Sequence, residues 1–184
     1  KRAFGENAIP QCYLVAKAIS TFVRCMISGN SPFDKYTRGD STALNESQVR
    51  GMKLFFGART NCSFCHSGIM FTDQKFHNTG TQRHYWDRGR EYVTGDPADY
   101  GLFLTPSLRN VEVTGPWMSD GFYSSLEEIV DNYNDGGKLW SNKDKIIKPL
   151  GLTPKEKKDL VAFLKSLTDR DFLNDKRFSD PFKK

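Results

Sequence analysis

The sequence of 184 residues lacks the features that mark membrane proteins and nucleic-acid-binding proteins. No apolar run approaches the roughly 18 residues that a membrane-spanning helix needs. No basic run is interleaved with aromatic residues, which excludes the usual pattern of a nucleic-acid-binding surface. Internal repeats and low-complexity segments are also missing. The composition, with 38% hydrophobic and 27% charged residues, suits one globular domain with or without an appended arm.

The first residues also lack an initiator Met and the apolar stretch of a signal peptide. We therefore expect a mature or truncated chain. Side chains with strong chemistry are scarce throughout, since the sequence has four Cys and three His. Three of these residues stand together within residues 62–66, so this segment is the most informative part of the sequence.

Residues 62–66 have the sequence CSFCH, which is typical of a c-type haem attachment site. The spacing has a chemical reason, because Cys62 and Cys65 can form thioether bonds to the two vinyl groups on one edge of the porphyrin. His66, on the same turn, can then reach the iron as the proximal ligand. The motif therefore predicts one covalently bound haem c.

Three other interpretations compete for CSFCH. A structural zinc site normally needs four ligands, and the sequence offers no second close pair of Cys or His residues. A thioredoxin-type motif belongs at a strand-to-helix junction, whereas Ser67 and Gly68 follow here. The third interpretation is an accidental match inside a core. The pentapeptide and its surroundings favour haem attachment.

Covalent haem c is assembled outside the cytoplasm, so the motif predicts a periplasmic or equivalent extracytoplasmic location. The net charge of +5 comes from scattered Lys and Arg residues. Such an excess favours either simple solubility or a weakly basic face that docks an acidic redox partner.

Cys12 and Cys25 remain after the haem pair is assigned. Both lie in the first predicted helix, residues 10–28, where their separation of thirteen residues corresponds to roughly 20 Å. A disulfide needs Cα atoms within about 7 Å, so we expect no bond between them. Two buried free thiols are expected, and a link to another part of the protein is the alternative.

Helical periodicity predicts three further helices. The second begins near Asn45, which can form a capping box with Gln48. Gly51 inside it costs roughly 1 kcal/mol relative to Ala, which favours a close helix crossing that excludes a side chain. The third helix begins at Ser125 and the last at Thr153, each with a Glu three residues later.

The remaining segments are irregular. Residues 33–40 are polar and predict a linker wrapped on the surface. Residues 68–110 are rich in Gly, Asp and aromatic residues, and so long an irregular stretch is unusual in a compact domain unless it wraps something, here a haem. Residues 169–184 predict a polar tail. Its expected anchors are Phe172, Phe178 and Phe182.

Five residues mark the two helices on either side of the haem motif: Gly51, Phe55, Leu160, Phe163 and Leu164. With the motif between them, this arrangement resembles the class I cytochrome c pattern, in which the first and last helices cross closely. The resemblance implies a mainly α domain wrapped around one covalent haem c, with long loops and an N-terminal helical arm.

Further motifs follow one another along the chain: SPFD at 31–34, VTGDP at 93–97, LTPSLRNV at 104–111, TGPWMSDG at 114–121, SLEEIV at 125–130 and FSDP at 178–181. Together with CSFCH they resemble the bacterial di-haem cytochrome c peroxidase and MauG-like family. The similarity covers nearly the whole chain. It implies two cytochrome-like domains with one haem motif each, of which this sequence has the second.

By this resemblance, residues 1–30 are the helical end of a preceding haem domain, and residues 31–184 are the haem domain itself. Its haem would store and deliver electrons as the C-terminal half of an oxidoreductase, while the peroxide-binding haem belongs to the other half. The substrate would be hydrogen peroxide, or a protein residue oxidised at a distance. Two rival functions stay open: a single-haem electron carrier, and a haem subunit of a larger multihaem complex such as a hydrazine-forming enzyme.

The sixth ligand of the iron is open on the residues alone. The candidates are Met70, Met118, His77, His84 and Tyr133. A generic cytochrome c favours Met118. The family resemblance instead implies Tyr133, because the distal residue there ends the helix that begins with LEE and is Met in typical peroxidases and Tyr in MauG-like members. A thioether raises the haem potential, whereas a phenolate favours ferric and higher oxidation states.

Four further residues are candidates for supporting roles. His77 and Arg109 are candidates to hold haem propionates, because charge-assisted hydrogen bonds there are strong. The family resemblance also implies a calcium ion between the two haem domains, bound partly through the backbone carbonyls of Thr114 and Pro116. A further calcium ligand would come from the other domain. Ser119 departs from the family, which often has His at this position.

Overall fold

The computed structural model describes residues 5, 9, 11–180 and 182, and within them the chain is mainly helical. The helices are α1 (Cys12–Cys25), α2 (Pro32–Thr37), α3 (Glu46–Phe55), α4 (Cys62–Cys65), α5 (Glu91–Thr94), α6 (Leu126–Asn134), α7 (Pro154–Lys165) and α8 (Arg170–Leu173). Two short strands, β1 (Phe76–His77) and β2 (Phe103–Leu104), pair antiparallel with Phe76 opposite Leu104. The predicted start of the first helix at residue 10 lies outside the described residues.

The three capping boxes that the sequence predicts are present. Asn45 caps α3, and its side-chain oxygen accepts a hydrogen bond from the Gln48 backbone N–H at 2.9 Å. Ser125 caps α6 and Thr153 caps α7, and in each case the carboxylate of the Glu three residues later accepts the reciprocal bond from the backbone N–H of the cap residue. Such caps satisfy backbone N–H groups that the first helical turn leaves unpaired. The starts of these helices are therefore determined locally.

Helices α3 and α7 cross closely at Gly51, as the sequence predicts. A Cβ atom added at Gly51 would overlap the backbone carbonyl of Asp159 and lie 2.8 Å from the Cβ of Phe163. The crossing is also bonded, because the Arg50 Nε donates to Asp159 Oδ2 at 2.8 Å. Gly51 thus lowers the helix propensity of α3, but its lack of a side chain allows close packing between two helices that are remote in sequence.

The core lies around this crossing and extends to α6. Phe163 and Leu167 are fully buried, and Phe55 is buried against the Phe163 ring with centroids 5.1 Å apart. The other buried members of the cluster are Phe71, Val111, Leu126, Val130, Leu152, Leu160, Val161 and Leu164. Phe71 lies five residues after His66, so the core holds the segment that follows the haem motif.

The prediction of a surface linker over residues 33–40 is wrong for its first half, which forms α2. Ser31 caps this helix, its hydroxyl oxygen accepting from the Asp34 N–H at 3.3 Å while Asp34 accepts from the Ser31 N–H at 3.0 Å. Pro32 at the first position adds a second start signal. Asp34 is buried, so the polar side chain faces the domain because it has partners there.

Helix α1 forms where the sequence predicts a helix, but the expected burial is wrong. None of its residues is buried, and both Cys12 and Cys25 are exposed free thiols. The expectation that these two thiols do not bond to each other agrees with the structure. Apolar side chains of α1 remain exposed, including Phe22 at 50% and Ile19 at 58%. A periodic apolar pattern specifies which face of a helix needs covering and not what covers it.

The C-terminal tail is anchored by two of the three expected aromatic residues. Phe178 contacts Phe172 at a centroid distance of 5.5 Å and Phe22 of α1 at 5.9 Å. Phe182 is 92% exposed, so its expected anchoring role is wrong. No helix in the described part of the chain combines the length and apolarity needed to cross a membrane.

Candidate haem site

The CSFCH motif folds as one helical turn followed by His66. Helix α4 spans four residues, and Asn61 enters it from the left-handed region at φ 52°. The His66 N–H donates to the Cys62 carbonyl at 3.0 Å, which closes the turn. Residues three apart on a helical turn share a side, so Cys62 and Cys65 present their thiols in one direction.

The imidazole of His66 is oriented for metal ligation through Nε2. Its Nδ1 lies 3.1 Å from the backbone carbonyl oxygen of Phe71. A carbonyl oxygen only accepts, so Nδ1 carries the proton and Nε2 keeps its lone pair. Burial is the largest influence on His66 and lowers its pKa, although the carbonyls of Phe71 and Pro106 oppose it. The ring is therefore held in the neutral form that an iron ligand requires.

Both thiols of the motif are held protonated. Burial raises the pKa of Cys62. Burial, together with the nearby carboxylates of Asp73 and Asp144, raises the pKa of Cys65 to about 11. A zinc site binds thiolates and favours surroundings that stabilise negative charge on sulfur. The surroundings here disfavour that charge and suit neutral thiols that become thioethers.

A partly buried carboxylate–imidazole–carboxylate group lies beside Cys65. His77 Nδ1 is 2.7 Å from Asp144 Oδ2, and His77 Nε2 is 3.0 Å from Asp73 Oδ2. Burial acts to lower the pKa of His77, but the hydrogen bonds to the two carboxylates outweigh it and raise the pKa. Burial acts to raise the pKa of Asp73, and hydrogen bonds from the Lys75 backbone and His77 bring it down to about 2.

This group bears on two interpretations of His77. Both ring nitrogens are occupied, so neither is free to ligate iron. The predicted contact between His77 and a haem propionate stays a prediction. Cys65, Asp73 and His77 place potential metal-ligand atoms within 4.8 Å of one another. Once Cys65 forms a thioether to haem, its sulfur can no longer serve this group as a thiolate ligand.

Tyr133 is brought to the haem motif by helix α6. Burial is the main cause that raises the pKa of the Tyr133 phenol, and the nearby Cys62 and Cys65 thiols raise it further, while the Thr79 hydroxyl opposes them. The phenol thus lies near the two cysteines, although Tyr133 is 68 and 71 positions away from them in the sequence. The phenol is neutral in this environment, so binding to a metal would require loss of its proton.

The other candidate distal ligands are placed differently. His84 packs edge-on against Trp86 with ring centroids 5.1 Å apart, and Trp86 is 84% exposed. Met70 is half-exposed at the end of the haem loop. Met118 is partly buried and adopts the left-handed region at φ 68°. Tyr133 and His77 both lie near the motif cysteines, and both ring nitrogens of His77 are already paired.

Arg109 forms a buried clamp with α2. Its Nη1 and Nη2 donate to the two carboxylate oxygens of Asp34 at 2.9 and 3.1 Å, and its Nε donates to the Ile69 carbonyl at 2.8 Å. Burial acts to raise the pKa of Asp34, but the bonds from Arg109 and Ser31 outweigh it and lower the pKa. Arg109 therefore connects α2 with the loop after the haem motif. Its predicted contact with a propionate stays a prediction.

The predicted calcium ligands lie in an exposed turn. Thr114 and Pro116 are both exposed, and the Gly115–Pro116 peptide bond is cis. The Trp117 indole N–H donates to the Val111 carbonyl at 2.8 Å and holds the end of this turn. Calcium binding through the Thr114 and Pro116 carbonyls stays a prediction.

Sequence reasoning missed three side chains of the site: Asp73, Asp144 and Thr79. Asp73 and His77 are four residues apart, but Asp73 precedes β1 and His77 ends it, so no helical periodicity indicates their pairing. Asp144 bonds to a histidine 67 positions away, and no local signal links them. Proximity of this kind is a product of the fold.

The residues fit haem c on the chemistry of the donor set. Two neutral thiols share one turn, a neutral imidazole has its Nδ1 engaged by the Phe71 carbonyl, and a partly buried phenol lies near the same cysteines. Apolar side chains beside the motif are exposed in the chain alone, among them Phe64 at 62%. When bound, haem c supplies an iron that changes oxidation state. Fold and site together define a mainly helical haem redox domain.

Comparison with known proteins gives the family. A cytochrome-c peroxidase of Pseudomonas sp. (strain SCT) is 36% identical over 200 residues, covering 91% of this chain and 52% of the relative. The methylamine utilization protein MauG of Methylorubrum extorquens is 37% identical over 168 residues, covering 91% of this chain and 47% of the relative. No protein-family model matches the chain.

Among solved structures, a MauG-like protein associated with microbial copper homeostasis has a TM-score of 0.87 at 35% identity, over 98% of this chain and 64% of that one. By this homology the chain belongs to the bacterial family of di-haem cytochrome c peroxidases and MauG-like proteins, and these relatives are oxidoreductases. The chain spans about half the length of the curated relatives that it matches. The predicted resemblance is confirmed.

Proposed function

We propose that this chain is the electron-handling, C-terminal haem domain of a di-haem oxidoreductase of the peroxidase or MauG type. Cys62 and Cys65 would hold one haem c, with His66 Nε2 as the proximal ligand and Tyr133 as the distal ligand. The observation that carries the proposal is that the Tyr133 phenol lies close enough to the two motif thiols for them to raise its pKa, beside a His66 ring whose Nδ1 is held by the Phe71 carbonyl. We propose that the fold around this haem is the class I cytochrome c type.

The proposed roles of the protein groups follow from their positions. The Phe71 carbonyl would orient His66 and strengthen it as a ligand. Tyr133 would give up its proton on binding iron and would favour the ferric state, since a phenolate is anionic. Asp73, His77 and Asp144 together carry two carboxylates beside the Cys65 edge. This negative charge would also disfavour added electrons at the haem.

The domain division of the proposal places residues 1–30 with a preceding haem domain and residues 31–184 in this one. Its support is the exposed apolar surface of α1, which a preceding domain would cover. The curated relatives are about twice the length of this chain, which leaves room for such a domain. That domain, or a separate subunit, would be the main redox partner.

The wider setting is proposed on the same grounds. Haem c attachment and the family favour a periplasmic or equivalent location. The substrate would be hydrogen peroxide or a protein residue oxidised at a distance, with a redox protein as a further partner. A calcium ion bound partly by the Thr114 and Pro116 carbonyls would lie between the two haem domains.

The distal ligand is tested by the variant Tyr133→Phe in the purified haem-loaded protein. We expect a ferric spectrum without the methionine-to-iron charge-transfer band, and a change in that spectrum when the phenol oxygen is removed. The matched control is Tyr123→Phe, whose hydroxyl donates to the Thr81 carbonyl at 3.2 Å. An unchanged spectrum in Tyr133→Phe together with an altered one in Met118→Leu would assign the ligand to Met118.

The rival functions are separated by haem content. A second Cys-x-x-Cys-His motif upstream in the full gene, and two haems per protein molecule by pyridine haemochrome assay, would support the di-haem proposal. One haem per molecule would support a single-haem electron carrier. Purification together with other haem subunits would support a subunit of a multihaem complex.

A further inference from the structure

The connector between α1 and α2 is bonded at successive residues to the C-terminal part of the domain. The Gly29 and Asn30 backbone N–H groups both donate to Asp169 Oδ2, at 2.9 and 2.8 Å. Residue 169 follows α7 and caps α8, since its Oδ1 accepts from the Phe172 N–H at 3.0 Å. One carboxylate thus joins the connector to the start of α8.

Asp169 is suited to this task by its burial and its partners. The residue is 2% exposed, and within the described residues it has backbone N–H donors rather than a cation as partners. Hydrogen bonds from N–H groups to a carboxylate are about twice as strong as neutral ones. A buried carboxylate costs free energy unless such bonds are present. Movement of the connector away from Asp169 would break two of these bonds and is therefore unfavourable.

Further bonds fix the same segment from other sides. The Asn110 Nδ2 donates to the Ser28 hydroxyl oxygen at 3.0 Å, and the Asn110 Oδ1 accepts from the Asp169 N–H at 2.8 Å. Arg38 donates to the Gly29 carbonyl at 2.8 Å. A connector between two folded units is often flexible, whereas each residue of this one from Ser28 to Asn30 is hydrogen-bonded to the domain.

The direction of α1 follows from this connector. Beyond the connector, the contact of α1 with the domain includes the edge-on packing of Phe22 against Phe178, at a centroid distance of 5.9 Å. Phe178 in turn packs on Phe172 of α8, the helix that Asp169 caps. The Asp169 carboxylate therefore bonds both to the connector and to the start of α8, the helix whose Phe172 packs against Phe178.

We propose that Asp169 is a positioning residue that holds the arm, and any domain attached to it, in one orientation relative to the haem of this domain. The inference rests on the proposed function for its purpose, because electron transfer between two haems slows steeply with distance. The contacts themselves do not depend on that function. The bond between connector and carboxylate makes the arm a rigid extension of the haem domain.

The first test measures backbone amide hydrogen exchange at Gly29 and Asn30 in the full-length haem-loaded protein. We expect slow exchange in the parent and an increase of about tenfold or more at both amides in Asp169→Asn, because local opening becomes easier. Amides within α7 should keep their rates. The matched control is Asp171→Asn, which removes an exposed carboxylate that accepts from the Asn30 side chain.

The second test measures arm orientation directly. A nitroxide on Cys12, in a Cys25→Ser background, and the ferric haem form a spin pair for pulsed electron paramagnetic resonance. We expect a narrow distance distribution in the parent and a broad one in Asp169→Asn, while thermal stability falls little. Asp169→Ala should broaden it further, provided that α7 amides show that it is folded.

Two results would overturn the proposal. One is fast exchange of the Gly29 and Asn30 amides in the parent protein. The other is an unchanged distance distribution in Asp169→Asn despite faster exchange, since Asp169 would then be structural only. A haem count of one per molecule would remove the proposed di-haem function and leave both readouts of arm rigidity valid.

Discussion

The helix crossing at Gly51 and the N-terminal arm form an instructive contrast within one chain. Both α1 and α7 carry apolar residues at helical spacing, but α7 buries Leu160, Phe163 and Leu164 whereas no residue of α1 is buried. The difference lies in what faces them, because α7 packs on α3 and α6. Helix formation is local, whereas burial depends on a partner. The contrast predicts that matched substitutions should have large effects at the crossing and small effects in the arm.

The largest effect should come from the aromatic residues of the core. Phe163 is fully buried, so Phe163→Ala should lower the free energy of unfolding by about 3–5 kcal/mol. The matched change Phe22→Ala removes a half-exposed ring in the arm and should cost about 1 kcal/mol or less. Urea denaturation of the haem-loaded chain measures both. Equal losses would contradict the contrast.

A comparable effect is expected from the buried clamp between Arg109 and Asp34. The two side chains are 6% and 11% exposed, and Arg109→Leu would leave a buried carboxylate without its cation, at a cost of about 3–5 kcal/mol. Adding Asp34→Asn should recover part of this loss. The control is Arg177→Leu, which removes an 80% exposed guanidinium from Asp175. A similar loss in the control would show that burial is not the cause.

Gly51→Ala should have the next largest effect, although Ala favours helices. The added Cβ overlaps the Asp159 carbonyl, and such overpacking costs about 1–3 kcal/mol. Gly29 offers the comparison, because a Cβ there meets nothing within 4 Å and its φ is not positive. Thermal melts of Gly51→Ala and Gly29→Ala should therefore differ clearly. A stabilised Gly51→Ala variant would mean that the two helices separate without loss.

The pH dependence of stability should reveal the ion pair at the crossing. Hydrogen bonds from Arg50 are the largest influence on Asp159 and lower its pKa below the ordinary value of 3.8. A carboxyl group with a depressed folded-state pKa contributes stability above its unfolded-state pKa and loses it as pH falls through the folded-state value. Asp159→Asn should therefore flatten the loss of stability below pH 3.8, measured by denaturation at pH 2–6. An unchanged slope would rule out this contribution.

The smallest effect should come from the apolar surface of α1. Val23 is 55% exposed, so Val23→Ser should change the stability of this chain by about 0.5 kcal/mol or less. In the full-length protein a preceding domain would cover this surface, and the same change should then cost more. Denaturation of both forms provides the comparison. Equal, small effects in both would argue against the proposed division at residue 30.

Local features of the site were readable in the residues, and distant ones were not. The spacing of Cys62, Cys65 and His66 predicts a single turn with two thiols on one side, and the structure has that turn. The capping boxes at Asn45, Ser125 and Thr153 were predicted for the same reason, since every atom involved lies within four residues. The pairing of His77 with Asp144 spans 67 positions, and no periodicity records it.

Two errors have a common physical origin. The polar residues of α2 predict a surface linker, although the start of this helix carries a capping box and Pro32. Burial of Asp34 depends on Arg109, 75 positions away, so composition alone suggests exposure. The apolar pattern of α1 misled in the opposite direction, because it suggests burial where the described residues provide little cover. In both cases the prediction inferred burial from the polarity of the side chains, whereas burial depends on which other side chains pack against or bond to them.

The amino-acid sequence by itself determined the haem motif, the starts of α3, α6 and α7, and the need for Gly at position 51. The motif and the helix starts depend on hydrogen bonds and steric limits within a few residues. Gly51 is noticeable because a glycine inside a helix lowers helix stability and so indicates a close contact. Only the tertiary structure decided that Tyr133 lies near the motif cysteines, that Arg109 pairs with Asp34, and that Asp169 bonds to the connector. Each of these brings together groups far apart in the chain, and such contacts form only when the helices have packed.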